Sequence, residues 1–140
     1  LKANQVLAIG FQDEIKWRSF MSNTDVVLAF IDAWNTMNWD AAADLLTDDV
    51  VWHNIPMEKI ESKAVVDAAI RGMAPESVDW EVLSIAENGN KVLTERVDRF
   101  EMPGGKKIDL PVMGTFELTD GKISAWRDYF DLNTFMTQMA

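Results

Sequence analysis

Cysteine is absent from this chain, so no disulfide framework, thiolate chemistry or cysteine-zinc site is available to it. Positive charge is scarce: 13 Lys and Arg stand against 23 Asp and Glu, a net charge of -10. A surface of that sign repels nucleic acid and anionic membranes, which are bound mainly through cationic side chains. No apolar run approaches the roughly 20 residues that span a bilayer, and residues 1–10 hold one Lys and too short an apolar segment for a secretory signal. Gly-x-Ser-x-Gly, Gly-x-Gly-x-x-Gly and Walker patterns are missing, and Gly104-Gly105 alone signals only a turn. No carboxylate spacing resembles a metal site. What is present is 140 residues with 48% hydrophobic content, enough for one domain with a single core. A cytoplasmic enzyme or small-molecule binder fits these bounds.

Residues 1–20 show weak periodicity and no cap. They read either as an N-terminal extension ahead of the domain or as an ordinary helix that packs on it. Met21-Ser22-Asn23-Thr24-Asp25 reads as a natural start, with Ser22 or Thr24 as N-cap and Asp25 in the first turn. Val26, Val27, Phe30, Ile31, Trp34 and Met37 then follow helical spacing up to about Met37. Asn38 caps a shorter helix carrying Ala41 to Leu46, closed by Asp48-Asp49. Val50 to Ile55 is a strand stopped by Pro56, with Trp52 and Asn54 on one face and His53 on the other. That geometry reads His53, the sole histidine, as a surface or supporting residue rather than a catalytic one. Ser62 caps a third helix through about Met73. Strands follow at Val78 to Ala86 and Lys91 to Met102, with a turn at Glu87-Asn88-Gly89-Asn90. The order is helices, a strand, a helix and then antiparallel strands, which describes an α+β sheet with helices gathered against one face and a pocket between.

The last hairpin organises the rest. Ile108, Leu110, Val112, Gly114, Phe116 and Leu118 alternate with polar positions, as on a strand with one apolar face. The Thr119-Asp120-Gly121-Lys122 turn closes as a two-residue or a three-residue loop. The first places Asp128 opposite Met113 on the mixed face. The second places it opposite Val112 on the apolar face between Trp126 and Phe130, and is preferred because it gathers the large apolar side chains. A carboxylate set in an apolar wall is either strongly compensated or functional. In the middle strand, Val92, Thr94, Arg96, Asp98 and Phe100 share a face, so Arg96 and Asp98 fall in the interior of the sheet.

The ordinary reading of Arg96, Asp98 and Asp128 is a cross-strand ion-pair ladder, worth about 0.2–1 kcal/mol per pair. The sharper reading is an acid–base pair: two carboxylates near one arginine in an apolar pocket need not both ionise, so one serves as base and the other as acid. Opening an epoxide with water needs such a pair, and proton shuttling beside a carbonyl needs similar groups.

Four segments carry a resemblance: Trp52-His53-Asn54-Ile55-Pro56, Thr94-Glu95-Arg96-Val97-Asp98, Gly114 to Ile123, and Trp126-Arg127-Asp128-Tyr129-Phe130-Asp131. Together, from about Asp25 to Phe135, they resemble the limonene-1,2-epoxide hydrolase family of the nuclear transport factor 2-like, or SnoaL-like, superfamily. The resemblance implies a cone-shaped α+β fold with a curved mixed or antiparallel sheet, spanning residues 21–140 as a single domain. It implies epoxide hydrolysis by direct water attack, with Asp128 as base, Asp98 as acid, Arg96 between them and Asn54 helping to hold the water. Leu110, Val112, Phe116, Trp126 and Phe130 would line the apolar pocket. No metal or organic cofactor is implied; the partners are a small apolar epoxide, cyclic or terpene-like, water, and a second copy of the chain in a homodimer through the outer sheet face. Trp52 departs from the family, which usually places a tyrosine there as a third water-holding group. An indole N–H donates but cannot accept, so the change alters how the water is held or narrows the pocket. Two other readings share these residues: an isomerase or cyclase of the same fold with an aspartate proton shuttle, and a ligand-binding or dimerisation module whose triad is a buried ion network.

Overall fold

The computed structural model describes residues 21–140, and the expectation for residues 1–20 lies outside the described residues. Helix α1 (Asn23–Asn35) starts in a capping box. The Asp25 N–H donates to Ser22 Oγ at 3.0 Å, and the Ser22 N–H donates back to Asp25 Oδ2 at 3.3 Å. Two orphan donors of the first turn are thereby satisfied, which selects Ser22 over Thr24 as the cap. The helix buries Val26, Val27, Phe30, Ile31, Ala33 and Trp34. It ends two residues before the expected Met37, which takes a left-handed φ of 51° and is more than a third exposed. Asn38 then caps α2 (Trp39–Asp44) by accepting from the Ala41 N–H at 3.1 Å.

Strand β1 (Leu46–Asn54) begins four residues earlier than its β-rich core suggested. Leu46 and Val50 are both buried anchors, and the Asp48-Asp49 pair falls in the irregularity between them instead of ending the preceding helix. A two-residue edge strand, β2 (Ile60–Glu61), was not expected. Helix α3 (Lys63–Met73) starts at Ser62 as expected, and β3 (Ser77–Asn88), β4 (Lys91–Met102), β5 (Lys106–Thr119) and β6 (Lys122–Tyr129) complete the sheet. A final helix, α4 (Leu132–Met139), was also not expected, although Asp131 carries its signal: its carboxylate accepts from the Asn133 and Thr134 N–H groups.

The strands run in the order β2-β1-β6-β5-β4-β3, a curved, unclosed mixed sheet in which only β1 and β6 are parallel. Helices α1, α3 and α4 contact β3, β1 and β5 respectively. The core forms where Phe30 and Trp34 of α1 meet Phe116 and Trp126 of the sheet. Each such large side chain, fully buried, stabilises the fold by about 1.5–3 kcal/mol.

The β5–β6 turn has two residues, with Asp120 at φ 50° and Gly121 at φ 76°, the double positive φ of a type I′ hairpin. By itself that turn would send Asp128 to the mixed face. A bulge at Ser124 adds one residue to β6 between the Leu118–Ile123 and Glu117–Ala125 pairs, and the parity flips. Asp128 therefore lies on the expected apolar face but opposite Gly114, not Val112. Both expected registers assumed an unbroken ladder; the extra residue sits in the strand instead of the loop. Ser124 is held there by donating to the Glu117 carbonyl at 3.2 Å and accepting from Thr119 Oγ1 at 2.9 Å.

Candidate active site

A cross-strand row runs through the sheet: Thr94 of β4 pairs with Gly114 of β5, Gly114 with Asp128 of β6, and Asp128 with Asn54 of β1. One step along β4, in positions that share a face by the two-residue period, stand Arg96 and then Asp98. The Arg96 side chain crosses above Gly114. Its Nε and Nη2 donate to the two oxygens of Asp98 at 2.9 and 2.8 Å, and Nη2 also donates to Asp128 Oδ1 at 3.0 Å. One guanidinium nitrogen thus bridges both carboxylates. The guanidinium carbon lies 4.7 Å from the centre of the Trp80 ring and 5.8 Å from that of Phe116.

Arg96, Asp98 and Asp128 are all buried. Burial pushes the Asp98 carboxyl up to about 6, aided by the Asp128 charge and opposed by Arg96. Burial likewise pushes Asp128 up, with Arg96 opposing. Burial works against the Arg96 cation as well, yet Asp128 and Asp98 outweigh it and hold the guanidinium above its ordinary value. One cation facing two desolvated carboxyls favours a shared proton, because a net negative charge there is costly. Surface ion pairs of the same protein, such as Arg99 with Glu81 and Asp109, have no comparable desolvation.

Both carboxyls open onto a cavity of about 290 Å³. Trp52 and Asn54 line it, and so do Leu110, Val112, Trp126 and Phe130. Phe116 does not. It is fully buried behind Arg96, stacked on Trp126 with ring centres 5.8 Å apart, and belongs to the core. Trp52 also stacks on Trp126, at 4.7 Å and 7°. Its indole N–H is buried and has no partner among the described residues, while the side chain lines the cavity. The Asn54 side chain makes no hydrogen bond within the described residues. His53 lies outside the cavity lining, its Nε2 3.0 Å from the Met57 carbonyl.

Sequence reasoning overlooked several participants. Thr94 was on the right face of β4 and needed only the parity rule to be singled out. Trp34, Trp80, Phe100 and Phe135 complete an aromatic wall whose members come from α1, β3, β4 and α4. Only the tertiary arrangement joins them.

A curated relative, epoxide hydrolase EphG of Mycobacterium tuberculosis, is 33% identical over 107 residues, covering 76% of this chain and 71% of the relative. The solved structure of an LEH-like epoxide hydrolase from M. tuberculosis superposes with a TM-score of 0.74 at 31% identity, covering 81% of this chain and 85% of that one. A nuclear transport factor 2-like protein of unknown function from Cytophaga hutchinsonii superposes with a TM-score of 0.70 at 26% identity, over 83% and 96% of the two chains. The limonene-1,2-epoxide hydrolase catalytic domain is matched by residues 21–140. With the fold, the buried row and these relatives in agreement, the chain belongs to the limonene-1,2-epoxide hydrolase family.

Proposed function

We propose that the protein adds water directly to a small apolar epoxide, cyclic or terpene-like, and releases a vicinal diol. The observation that carries this reading is the single Arg96 nitrogen shared by two buried carboxyls at the wall of an apolar cavity. Family membership and the epoxide hydrolase relative support the reaction class.

In this mechanism Asp128 accepts a proton from water while the water oxygen bonds to an epoxide carbon. The carbon–oxygen bond breaks as Asp98 gives its proton to the departing oxygen, which would otherwise leave as a poor alkoxide. Each positioned proton transfer contributes about 10² to 10⁴ in rate. Arg96 keeps one shared proton on the pair, and Asn54, next to Asp128 in the β1–β6 register, offers an amide to orient the water. After a turnover Asp128 holds the proton taken from water and Asp98 has lost its own to the diol, so the pair resets by proton exchange through solvent as the diol leaves. No step calls for a metal or organic cofactor. A cavity of about 290 Å³ sits at the small end of ligand pockets, which suits a small substrate.

The test is a panel of aliphatic, alicyclic and terpene-like epoxides, scored for diol by the wild type and by Asp128→Asn. Diol formation that disappears in the folded variant supports the assignment; a variant with full rate removes Asp128 as base. We also propose a homodimer through the outer sheet face, where Met113 and Tyr129 are half-exposed cross-strand neighbours. Sedimentation equilibrium at the monomer mass would exclude it.

A further inference from the structure

The Arg96 fork has five N–H donors, and four are engaged: one on Nε, both on Nη2, and one on Nη1. The Nη1 bond is to Thr94 Oγ1, at 2.9 Å. Thr94 is itself buried, and its hydroxyl points back to the Gly114 carbonyl at 3.4 Å. Thr94 and Asp128 therefore stand at the two ends of the gap above Gly114, and the guanidinium spans it. A guanidinium is planar and rigid, so fixing Nη1 at one end fixes where Nη2 points at the other. Nη2 must divide its two hydrogens between different carboxylates, an arrangement that a small rotation of the plane would break.

We propose that Thr94 is a positioning residue for the acid–base pair: its hydroxyl anchors Nη1 so that Nη2 stays shared between Asp98 and Asp128. The kinetic consequence rests on the hydrolysis proposed above; the electrostatic one does not. Other groups facing the triad carry no competing charge. From β3 come Trp80 and Val82, from β5 Leu110, Val112 and Gly114, from β1 Trp52 and Asn54, from α1 Trp34, and from β6 Trp126, an uncharged indole that opposes the rise at Asp128. The charged groups acting on Asp98 and Asp128 are Arg96 and, for Asp98, Asp128 itself. Thr94 therefore acts on the carboxyls only through Arg96.

Thr94→Val keeps the shape and removes the acceptor, and Thr94→Ser keeps the acceptor and removes the methyl. The full chain is labelled with ¹³C at the Asp carboxyl carbons, and the two buried carboxyls are titrated by NMR, with thermal unfolding as a check on folding. Thr94→Val, with Arg96 less well held, is expected to raise the apparent titration of the pair by about half to one pH unit, while Thr94→Ser stays within a few tenths of wild type. In the epoxide assay kcat then falls about tenfold in Thr94→Val with KM little changed, and Thr94→Ser restores it. Unshifted or lowered titration in Thr94→Val overturns the inference, and so does a Thr94→Ser shift as large as that of Thr94→Val. Should the wild type hydrolyse no epoxide, the functional reading falls, and the carboxyl titration still decides this one.

Discussion

Gly114 faces Asp128 across β5 and β6, and the space above Gly114 is occupied by the Arg96 guanidinium. A Cβ built at Gly114 would overlap Arg96 Nη1, lie 2.5 Å from Asp128 Oδ1 and come within 3.1 Å of Thr94 Oγ1. The glycine is needed for that vacancy in the strand and not for an unusual backbone angle, since Gly114 is not among the positive-φ residues.

Gly114→Ala should therefore displace the arginine bridge. We expect activity to fall by about 10² or more if both proton transfers are disturbed, together with a stability loss of about 1–3 kcal/mol from overpacking. Steady-state kinetics and urea melts measure the two effects. An alanine variant with wild-type kcat would show that the bridge is not held by this space.

The pH profile should be bell-shaped. A second proton on the pair silences the base, and loss of the last proton silences the acid, so the two limbs belong to the pair and not to either residue. Since burial raises both carboxyls, both limbs should lie above the ordinary carboxylate range. A rate that stays flat up to pH 9 contradicts this. Stability carries the same sign: Asp98 is raised from 3.8 to about 6, so between those values the folded state binds more protons than the unfolded chain. The Asp98 contribution to stability is then fully present below about pH 4 and is lost as pH rises to about 6, by at most about 3 kcal/mol. Comparing urea melts of wild type and Asp98→Asn at pH 4.5 and 7 isolates it; an equal difference at both values contradicts it.

Trp52→Tyr should raise hydrolysis several-fold. The indole lies flat on Trp126 with its N–H buried, so it offers the water neither donor nor acceptor from the cavity side. A phenol hydroxyl can do both and takes less room. Unchanged or lower kcat across the epoxide panel would show that the indole face is fitted to the natural substrate.

Much of this site was legible in advance because strand parity is a strong constraint. Arg96 and Asp98 share a face by spacing alone, and the apolar neighbours Trp126 and Phe130 pulled Asp128 onto the correct side. The pairing of Asp128 was not legible: the bulge at Ser124 depends on bonds to Thr119 and Glu117 that form only once the hairpin closes. Phe116 shows the limit of the same parity rule, since the inner face of a curved sheet both lines the cavity and backs onto the core. Pro111 looks misplaced in a long strand, but β5 has there run beyond the last β6 pair, Met113 with Tyr129, so no β6 partner needs its missing N–H. The Gln138 amide of α4 pairs with the Asp109 N–H and carbonyl on that open stretch, a role no local pattern announces.

A single turnover with enzyme in excess, in ¹⁸O-labelled water, separates direct attack by water from a route through a covalent ester. Direct attack puts one ¹⁸O in the diol from the first turnover and none in the protein. Unlabelled diol in that turnover, with ¹⁸O recovered in Asp98 or Asp128, would contradict it.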